Sequence, residues 1–550
     1  MLASITPEHT CFTRFRNLLL KAAVLVMAVV WIYTPVYHSE FLWDDHILVT
    51  DNWMVQSGSL GGLAAIWVEP DGPDYFPLTY TALWLEWQAF GENPTGYHLV
   101  NVALHAISGL LLWWLLAQLK LPGAWLAAVV FAVHPVCVES VAWISEIKNT
   151  LSLPFFLLAC LCWVWQDDSD SGSTQQRWYK ASLMAFLLAL LAKPSMVGMP
   201  LLTLLYAWWK RQQISRQDLL RMVPLFLIAI TMGLITIWYQ RERAIAGEVL
   251  PIGEPLARVT TAGMALAFYL VTTFWPVGLM PIYPRWMGES FELWQLLPLV
   301  SLTMMAVLIW QNRHGWGRHA LLAGGFFALM VAPVLGLVPM SFMRVSWVSD
   351  HFLYLPMIGL IGGFVGGVTA VLQNQSVGLQ IVGRGCLCVV GLLLTVMSQR
   401  QATHWESSKA LWAYAVAMND QAWQAYVWLG DQQLRKDDED AALKLYERAI
   451  DIYPALEQSP QYPATMVEVF LKQGEYARAI GVLEKMMQDD SFGGPTTGTV
   501  RQEQAKMAAL QKSERLAKSL IAGGEKEEGL IDFYNHVGLM NRKMTEARRK

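Results

Sequence analysis

Apolar runs recur along the first 398 residues, near 18–37, 98–119, 122–135, 150–166, 181–193, 196–209, 222–239, 291–310, 319–339, 352–372 and 379–398. A helix needs about 20 mostly apolar residues to cross a bilayer. In lipid every backbone N–H and C=O must be satisfied within the segment, so a chain with this pattern folds as a helix bundle. The expected class is therefore all-α, a polytopic membrane bundle of about eleven spanning helices. Several runs are short, and their neighbours read as broken or tilted helices. The further apolar stretch 259–275 reads as lying in the interface or dipping in and out. A hydrophobic fraction of 54%, a charged fraction of 15% and a mean hydropathy of +0.33 exclude an ordinary soluble domain.

Charge gives the orientation. From His38 to Leu119 there is no Lys or Arg, yet the stretch holds Glu40, Asp44, Asp45, Asp51, Glu69, Asp71, Asp74, Glu86 and Glu92. Short cytoplasmic loops collect basic residues, so this stretch is external. The segments "KRQQISRQDLLR" (210–221) and "NRHGWGRH" (312–319) are the cytoplasmic loops. Eleven crossings then place the N-terminus inside, the tail outside, and "WDD", "HPVCVES", "IYPRW" and "RVSWVSDHF" together on the external face. Residues 18–37 follow Arg14 and Arg16 and lack a small-residue cleavage site, as an uncleaved signal anchor does. The single N-x-S match, at Asn374, falls in a predicted cytoplasmic loop.

About half of all Lys, Arg, Asp and Glu lie beyond Gln399, which divides the chain into a membrane domain (1–398) and a soluble tail (399–550). In the tail, "AYVWLGDQQLRKDDEDAALKLYERAIDIYP" fits the tetratricopeptide pattern, with Trp428, Leu429 and Gly430 in the first helix and Ala441, Ala442, Tyr446, Ala449 and Pro454 in the second. "PATMVEVFLKQGEYARAIGVLEKMM" repeats it with Gly474, Tyr476, Ala479 and Ile480, and "LAKSLIAGGEKEEGLIDFYNHVG" does so more loosely. Three repeats make a small α-solenoid, with Trp428 and Tyr446 completing helix packing and a concave face left for a ligand. The six cysteines lie mostly in or beside apolar runs without a CxxC pair, as small buried hydrophobes do.

Chemistry-bearing residues gather where apolar runs end. "EFLWDDHILVTDN" places Asp44 and Asp45 a few residues after a membrane helix, where they are either solvated loop acids or functional ones. The aromatic segment "DYFPLTYTALWLEWQAFGENPTGYHLVNVALHA" is either an interfacial belt or a shelf for an apolar ligand. In "HPVCVESVAWISEIKN", a continuous helix would put Glu139 and Glu146 two turns apart on one face, with His134, Lys148 and Asn149 nearby. Such a carboxylate pair with a cation suits phosphate or metal binding and the orientation of a hydroxyl; the alternative is a hairpin in which Lys148 snorkels and pairs with Glu146. Lys193, directly before a proline in an apolar run, is expected to have an anionic partner. Arg285, Arg344 and His351 are further candidate cations on the same face.

Taken in order, "FLWDDHILVTDN", the aromatic segment, "HPVCVESVAWISEIKNTLS", "LLAKPSMVGMP", "YLVTTFWPVGLMPIYP", "SDHFLYLPMIGL" and the repeat tail resemble the transmembrane and tetratricopeptide-repeat-containing protein O-mannosyltransferases and their bacterial relatives. These are multi-helix enzymes that use polyprenyl-phosphate sugars. The resemblance implies that Asp44 or Asp45 is the general base or acceptor-orienting acid. It aligns Glu146, Lys148 and Asn149 with an acid, a base and an Asp of bacterial relatives, so Asn149 is a departure that speaks against a metal ligand there. His351 stands where relatives often carry Arg.

The expected function is inverting transfer of a sugar from a polyprenyl-phosphate donor to a hydroxyl of a protein Ser/Thr or a surface glycan on the external face. Asp44 and Asp45 carry the catalysis. Lys148, Lys193, Arg285, Arg344 and His351 bind the donor phosphate and lipid, while His134, Glu139 and Glu146 orient donor and acceptor. The isoprenoid would lie against the aromatic segment and "TTFWPVGLMPIYP". No cofactor is assigned, and whether a divalent cation takes part is left open. Membrane lipid and an acceptor recruited by the tail are the expected partners; nucleic acid is not. The alternative is a non-catalytic membrane-anchored repeat scaffold for envelope assembly, and a transporter would show repeated helix groups, which are not seen. A bacterial inner membrane with a periplasmic tail is the expected location, the endoplasmic reticulum with a lumenal tail the alternative.

Overall fold

The computed structural model describes residues 7–69, 74–245, 250, 252–286, 292–436, 438–454, 456, 461–488, 497–522 and 528–549. Asp71 and residues 523–527 of the third repeat lie outside them. Helix is the regular secondary structure of the described residues, which include no strand. They divide into two compact units, one of residues 1–239 and 251–411, the other of 240–250 and 412–550.

The first unit opens with α1 (Pro7–Ile32), followed by the loop bearing the paired aspartates and by α2 (Trp53–Gln56), α3 (Leu60–Val68) and α4 (Pro77–Phe90). Asn52 caps α2 and Ser59 caps α3 through their side-chain oxygens, satisfying N–H groups that a helix start leaves open. Part of the aromatic segment is core, while Leu85, Phe90 and Leu99 stay exposed. Tyr80, Leu83 and Tyr97 are buried with Phe41, Val49, Val55 and Ile66 in one apolar cluster, because α4 and α5 (Pro94–Gln118) fold back over the aspartate loop.

The chain continues through α6 (Ala124–Ala132), α7 (Cys137–Ala142), α8 (Ile147–Asp167), α9 (Gly172–Ala192), α10 (Met199–Arg211) and α11 (Arg216–Tyr239). Nine residues of α6 reach only about 14 Å, so run 122–135 is part of a broken element rather than a crossing on its own. Then follow α12 (Pro255–Phe274), α13 (Leu296–Gln311), α14 (Gly317–Val331), α15 (Asp350–Leu353), α16 (Met357–Gln373) and α17 (Val377–Thr403). Among the described residues eight segments are long and apolar enough to cross a membrane, and α16 is a shorter apolar helix. α13 has no buried residue, and most bulky side chains of α17 are exposed, as expected of lipid-facing surfaces. Cys386 and Cys388 are exposed on α17 rather than buried.

The two basic loops meet at one end of the bundle. Trp208 stacks on Trp310 at 5.9 Å, the Trp209 indole donates to His319, and Lys210 and Arg211 pair with Asp167, Asp168 and Asp218. The acidic segments gather elsewhere: Tyr75 stacks on Tyr239, Tyr283 donates to Asp350, and Thr79 binds the carbonyl of Ala192. Tyr239 before α12 and Tyr283 after it both contact these acidic segments. Although α12 has the length and composition to cross, Phe274 near its end meets Phe364, two turns into α16. The chain then returns to Asp350 through Tyr283.

The second unit packs its helices in successive pairs: α19 (Trp423–Leu434) with α20 (Glu439–Ile452), α21 (Gln461–Lys472) with α22 (Tyr476–Gln488), and α23 (Thr497–Ala522) with α24 (Glu528–Arg549). The unit boundary falls within α18 (Ser408–Met418). Ala442 and Ala449 are fully buried, and Tyr446 lies flat against Gly430 while its hydroxyl donates to Asp431. Trp428 is half-buried and outside the shared core, which takes Val427 instead. A Cβ on Gly430 would meet the Tyr446 ring at 2.7–3.0 Å. Gly430→Val is therefore expected to cost about 1–3 kcal/mol of tail stability. Limited proteolysis of the full chain should cut the variant's tail at lower temperature than the parent's.

Candidate functional site

The segment from Glu139 to Glu146 is not one helix, which corrects the two-turn spacing expected from sequence. Trp143 is extended (φ −85, ψ 119), so α7 stops at Ala142 and a single helical turn, 144–146, precedes α8. A backbone break beside a membrane span needs outside partners for its polar groups. Asp45 supplies them. Its Oδ1 accepts from the Ser145 amide at 2.7 Å and from the Ser145 hydroxyl, and its Oδ2 accepts from the Leu42 amide at 2.8 Å. Asp45 is fully buried, and burial pushes its carboxyl up to about 7 against the lowering effect of these bonds.

Asp44 is different. It is half-buried, and burial pushes its carboxyl up to about 6. The charges acting on it come from the other side of the site: Lys148 lowers it most among them, Glu146 and Asp74 raise it, and His351 lowers it. The two neighbouring aspartates thus divide their work, one fastening the broken segment and one facing the cations.

Those cations are organised around Glu146 and Asn149. Glu146 Oε1 lies 2.7 Å from the Lys148 ammonium and 4.0 Å from His351 Nε2, and its Oε2 lies 3.7 Å from the Lys193 ammonium. The Asn149 amide donates to Glu146 Oε2, Ser140 and the His351 carbonyl, and its oxygen accepts from Lys193 at 2.6 Å. Lys193 thus has the anionic partner expected of it. It also lies 6.0 Å from the Phe352 ring centre. A small cavity beside Lys193 and His351 is lined also by Asn149, Ser195 and Phe352. Lys148 keeps 17% of its side chain exposed and Lys193 10%.

Glu139 approaches the same histidine from the other side. Its carboxylate contacts His351 Nδ1 at 2.9 Å and accepts from the His351 amide and from the Ser349 hydroxyl. His351 is therefore held between Glu139 and Glu146. Beside it, Asp350 accepts from Tyr283, and burial together with Glu139 raises its carboxyl well above the usual range.

Other expected residues stand apart. Both nitrogens of His134 are engaged by backbone, the Thr273 carbonyl at 3.1 Å and the Val136 amide at 3.3 Å, so it ties α12 to the break after α6. Arg285 donates to the Met343 carbonyl and lies over Trp347, and Arg344 belongs to the same 341–344 turn. That turn touches the site through Phe342, whose ring meets His351. Ser145, Ser349 and Trp143 are site residues that sequence reasoning missed. Small hydroxyls in an apolar chain give no signal, and a tryptophan there reads as core. Among the described residues no three His, Cys, Asp or Glu side chains converge as a metal-binding group.

No family model matches the chain. Protein O-mannosyl-transferase TMTC2 of Mus musculus is 34% identical over 139 residues, 24% of this chain and 15% of that protein. Protein O-mannosyl-transferase Tmtc1 of Drosophila melanogaster is 35% identical over 122 residues, covering 21% and 13%. Protein O-mannosyl-transferase TMTC4 of Homo sapiens is 23% identical over 482 residues, covering 74% and 63%. The match thus spans about one seventh of the first two relatives and under two thirds of the third. These relatives are of the family that the ordered motifs resemble. Among solved structures, ArnT from Cupriavidus metallidurans is similar in its apo state (17% identity, 83% of this chain and 80% of that one, TM-score 0.36) and bound to undecaprenyl phosphate (18%, 86% and 80%, TM-score 0.34).

Proposed function

We propose that this chain is a membrane glycosyltransferase that moves a sugar, mannose by analogy with its relatives' names, from a polyprenyl phosphate to a Ser/Thr hydroxyl. One observation carries the reading: a half-buried aspartate, Asp44, lies within electrostatic reach of Lys148, Glu146 and His351, so that three distant parts of the sequence meet at one site. Asp44 accepts the proton of the acceptor hydroxyl as its oxygen bonds to the anomeric carbon. The bond from that carbon to the phosphate oxygen breaks, and its electron pair leaves with the lipid phosphate. The phosphate gains a negative charge, and Lys148, backed by His351, meets it. Attack opposite the leaving group inverts the anomeric centre. Glu139, Glu146 and Asn149 hold the cations in place. Arg285 and Arg344 reach the donor only through the 341–347 turn.

Exposed Val271, Phe274, Trp275 and Val277 near the end of α12 form an apolar lip suited to the isoprenoid. The basic loops mark the cytoplasmic face, so the site and the tail are external, in a bacterial periplasm as first choice. The tail recruits the protein acceptor. Purified full chain supplied with undecaprenyl- or dolichyl-phosphate mannose and Ser/Thr peptides should add a hexose, about 162 Da by the chemistry of the transfer, to the peptide. A scaffold adds none, and peptide mass from any donor tried would then stay unchanged.

A further inference from the structure

The aspartate loop is fastened to a part of the chain that the reaction does not use. Trp43 has φ +50, a left-handed conformation that a bulky residue adopts only when its surroundings hold it there. Its indole stacks on Trp143 at 4.7 Å and 12°, and Trp143 stacks in turn on Trp405, at 5.8 Å and 27°, with the His351 ring edge-on at 6.2 Å. Trp405 follows α17, 362 residues downstream of Trp43 by their numbers, and is 1% exposed. Two further bonds fix the segment: Ser39 donates to the Trp405 carbonyl at 2.8 Å, and the Ser408 amide donates to Glu40 at 2.7 Å. The same Trp143 carries the Lys148 ammonium 5.9 Å from its ring centre.

We infer that Trp405 is a positioning residue for the reaction: through the Trp43–Trp143–Trp405 stack, the segment after the last membrane helix sets where Asp44 and Lys148 stand relative to each other. The inference rests on the reading of Asp44 as the base. Trp43 is joined directly to Asp44, and Trp143 lies under Lys148, so a ring missing from the stack loosens both reacting partners at once. A displacement of about 1 Å in such a pair costs on the order of a hundredfold in rate. Nothing in the stack needs to touch substrate.

In the full chain assayed with a polyprenyl-phosphate mannose and peptide, Trp405→Ala is expected to lower kcat about thirty- to a hundredfold with KM little changed. Trp405→Phe, which keeps a ring, should recover most of the loss. In the Asp44→Asn background, Trp405→Ala should lower the residual rate by a clearly smaller factor than in the parent, because of the two residues it positions only Lys148 remains. A merely structural Trp405 would instead lower both backgrounds by the same factor, and that outcome overturns the inference. A second readout needs no turnover: the carboxyl infrared band lost in Asp44→Asn should titrate near 6 in the parent. In Trp405→Ala its midpoint should fall toward the ordinary carboxylate range as water enters. An unmoved midpoint refutes the positioning role even if no donor is found. A parent that transfers nothing, with the midpoint shifted as expected, refutes the proposed reaction and not the stack.

Discussion

Asp44→Asn is expected to lower kcat about a thousandfold while the protein folds and inserts as before. General-base catalysis is worth about 10²- to 10⁴-fold, and Asp44 is the acid that faces Lys148 and Glu146 without serving as a backbone anchor. Its carboxyl stands near 6 because burial outweighs the pull of Lys148. A base must be ionised to accept a proton, so parent turnover should rise with pH through about 6 and level off above it. Stopped assays from pH 4.5 to 8 would show the curve. A residual rate in Asp44→Asn that keeps the same inflection would assign it to another group. Asp45→Asn should behave otherwise. An amide cannot accept from both Leu42 and Ser145 without turning its NH2 toward one donor, a mismatch worth about 1–3 kcal/mol. That variant should lose thermal stability first and activity only in proportion to the folded fraction.

The second large effect belongs to Lys148. A contact that strengthens as the leaving phosphate gains charge is worth roughly 2–4 kcal/mol in the transition state, so Lys148→Ala is expected to lower kcat about a hundredfold. Lys148→Arg should recover part of it, because the charge returns with a different reach. Glu146 lies 2.7 Å from this ammonium, and removing the lysine leaves the Glu146 carboxylate to Lys193 and Asn149, which already hold it. The fold should therefore survive. A purified Lys148→Ala protein that transfers at the parent rate would reduce this segment to a structural hairpin. The phosphate would then have to be met around Lys193 and His351, beside the small cavity they line.

Much of the membrane unit was legible because lipid imposes one rule on backbone polar groups, and apolar runs of the right length follow from it. Lys193 was legible for a related reason: a cation before a proline in an apolar run needs an anion, and the structure gives it Glu146 and Asn149. The break at Trp143 was not. Its cause is tertiary, a carboxylate from a hundred residues earlier and an indole stack from 262 residues later by their numbers, and no local propensity announces either. Asn149 read as a departure from the relatives' acid, yet its amide is what lets one side chain donate to Glu146 and accept from Lys193. His134 and the aromatic segment looked chemical; the structure gives both His134 nitrogens backbone partners and buries Tyr80, Leu83 and Tyr97. Composition cannot tell a ring that packs from one that binds.

The bond from Asp45 to Ser145 has a consequence for how the chain is made. Asp45 leaves the ribosome a hundred residues before the Ser145 amide it will hold, so it emerges with only the local Leu42 amide as a partner and its other oxygen must stay hydrated until α8 arrives. The hairpin of α6, α7 and α8 in turn enters the membrane with its break uncapped. The two halves complete each other only after the intervening helix α5 has been laid down. A nascent chain stalled before Ser145 should therefore hold an aspartate loop open to water and protease, and release from the stall should close it in a single step.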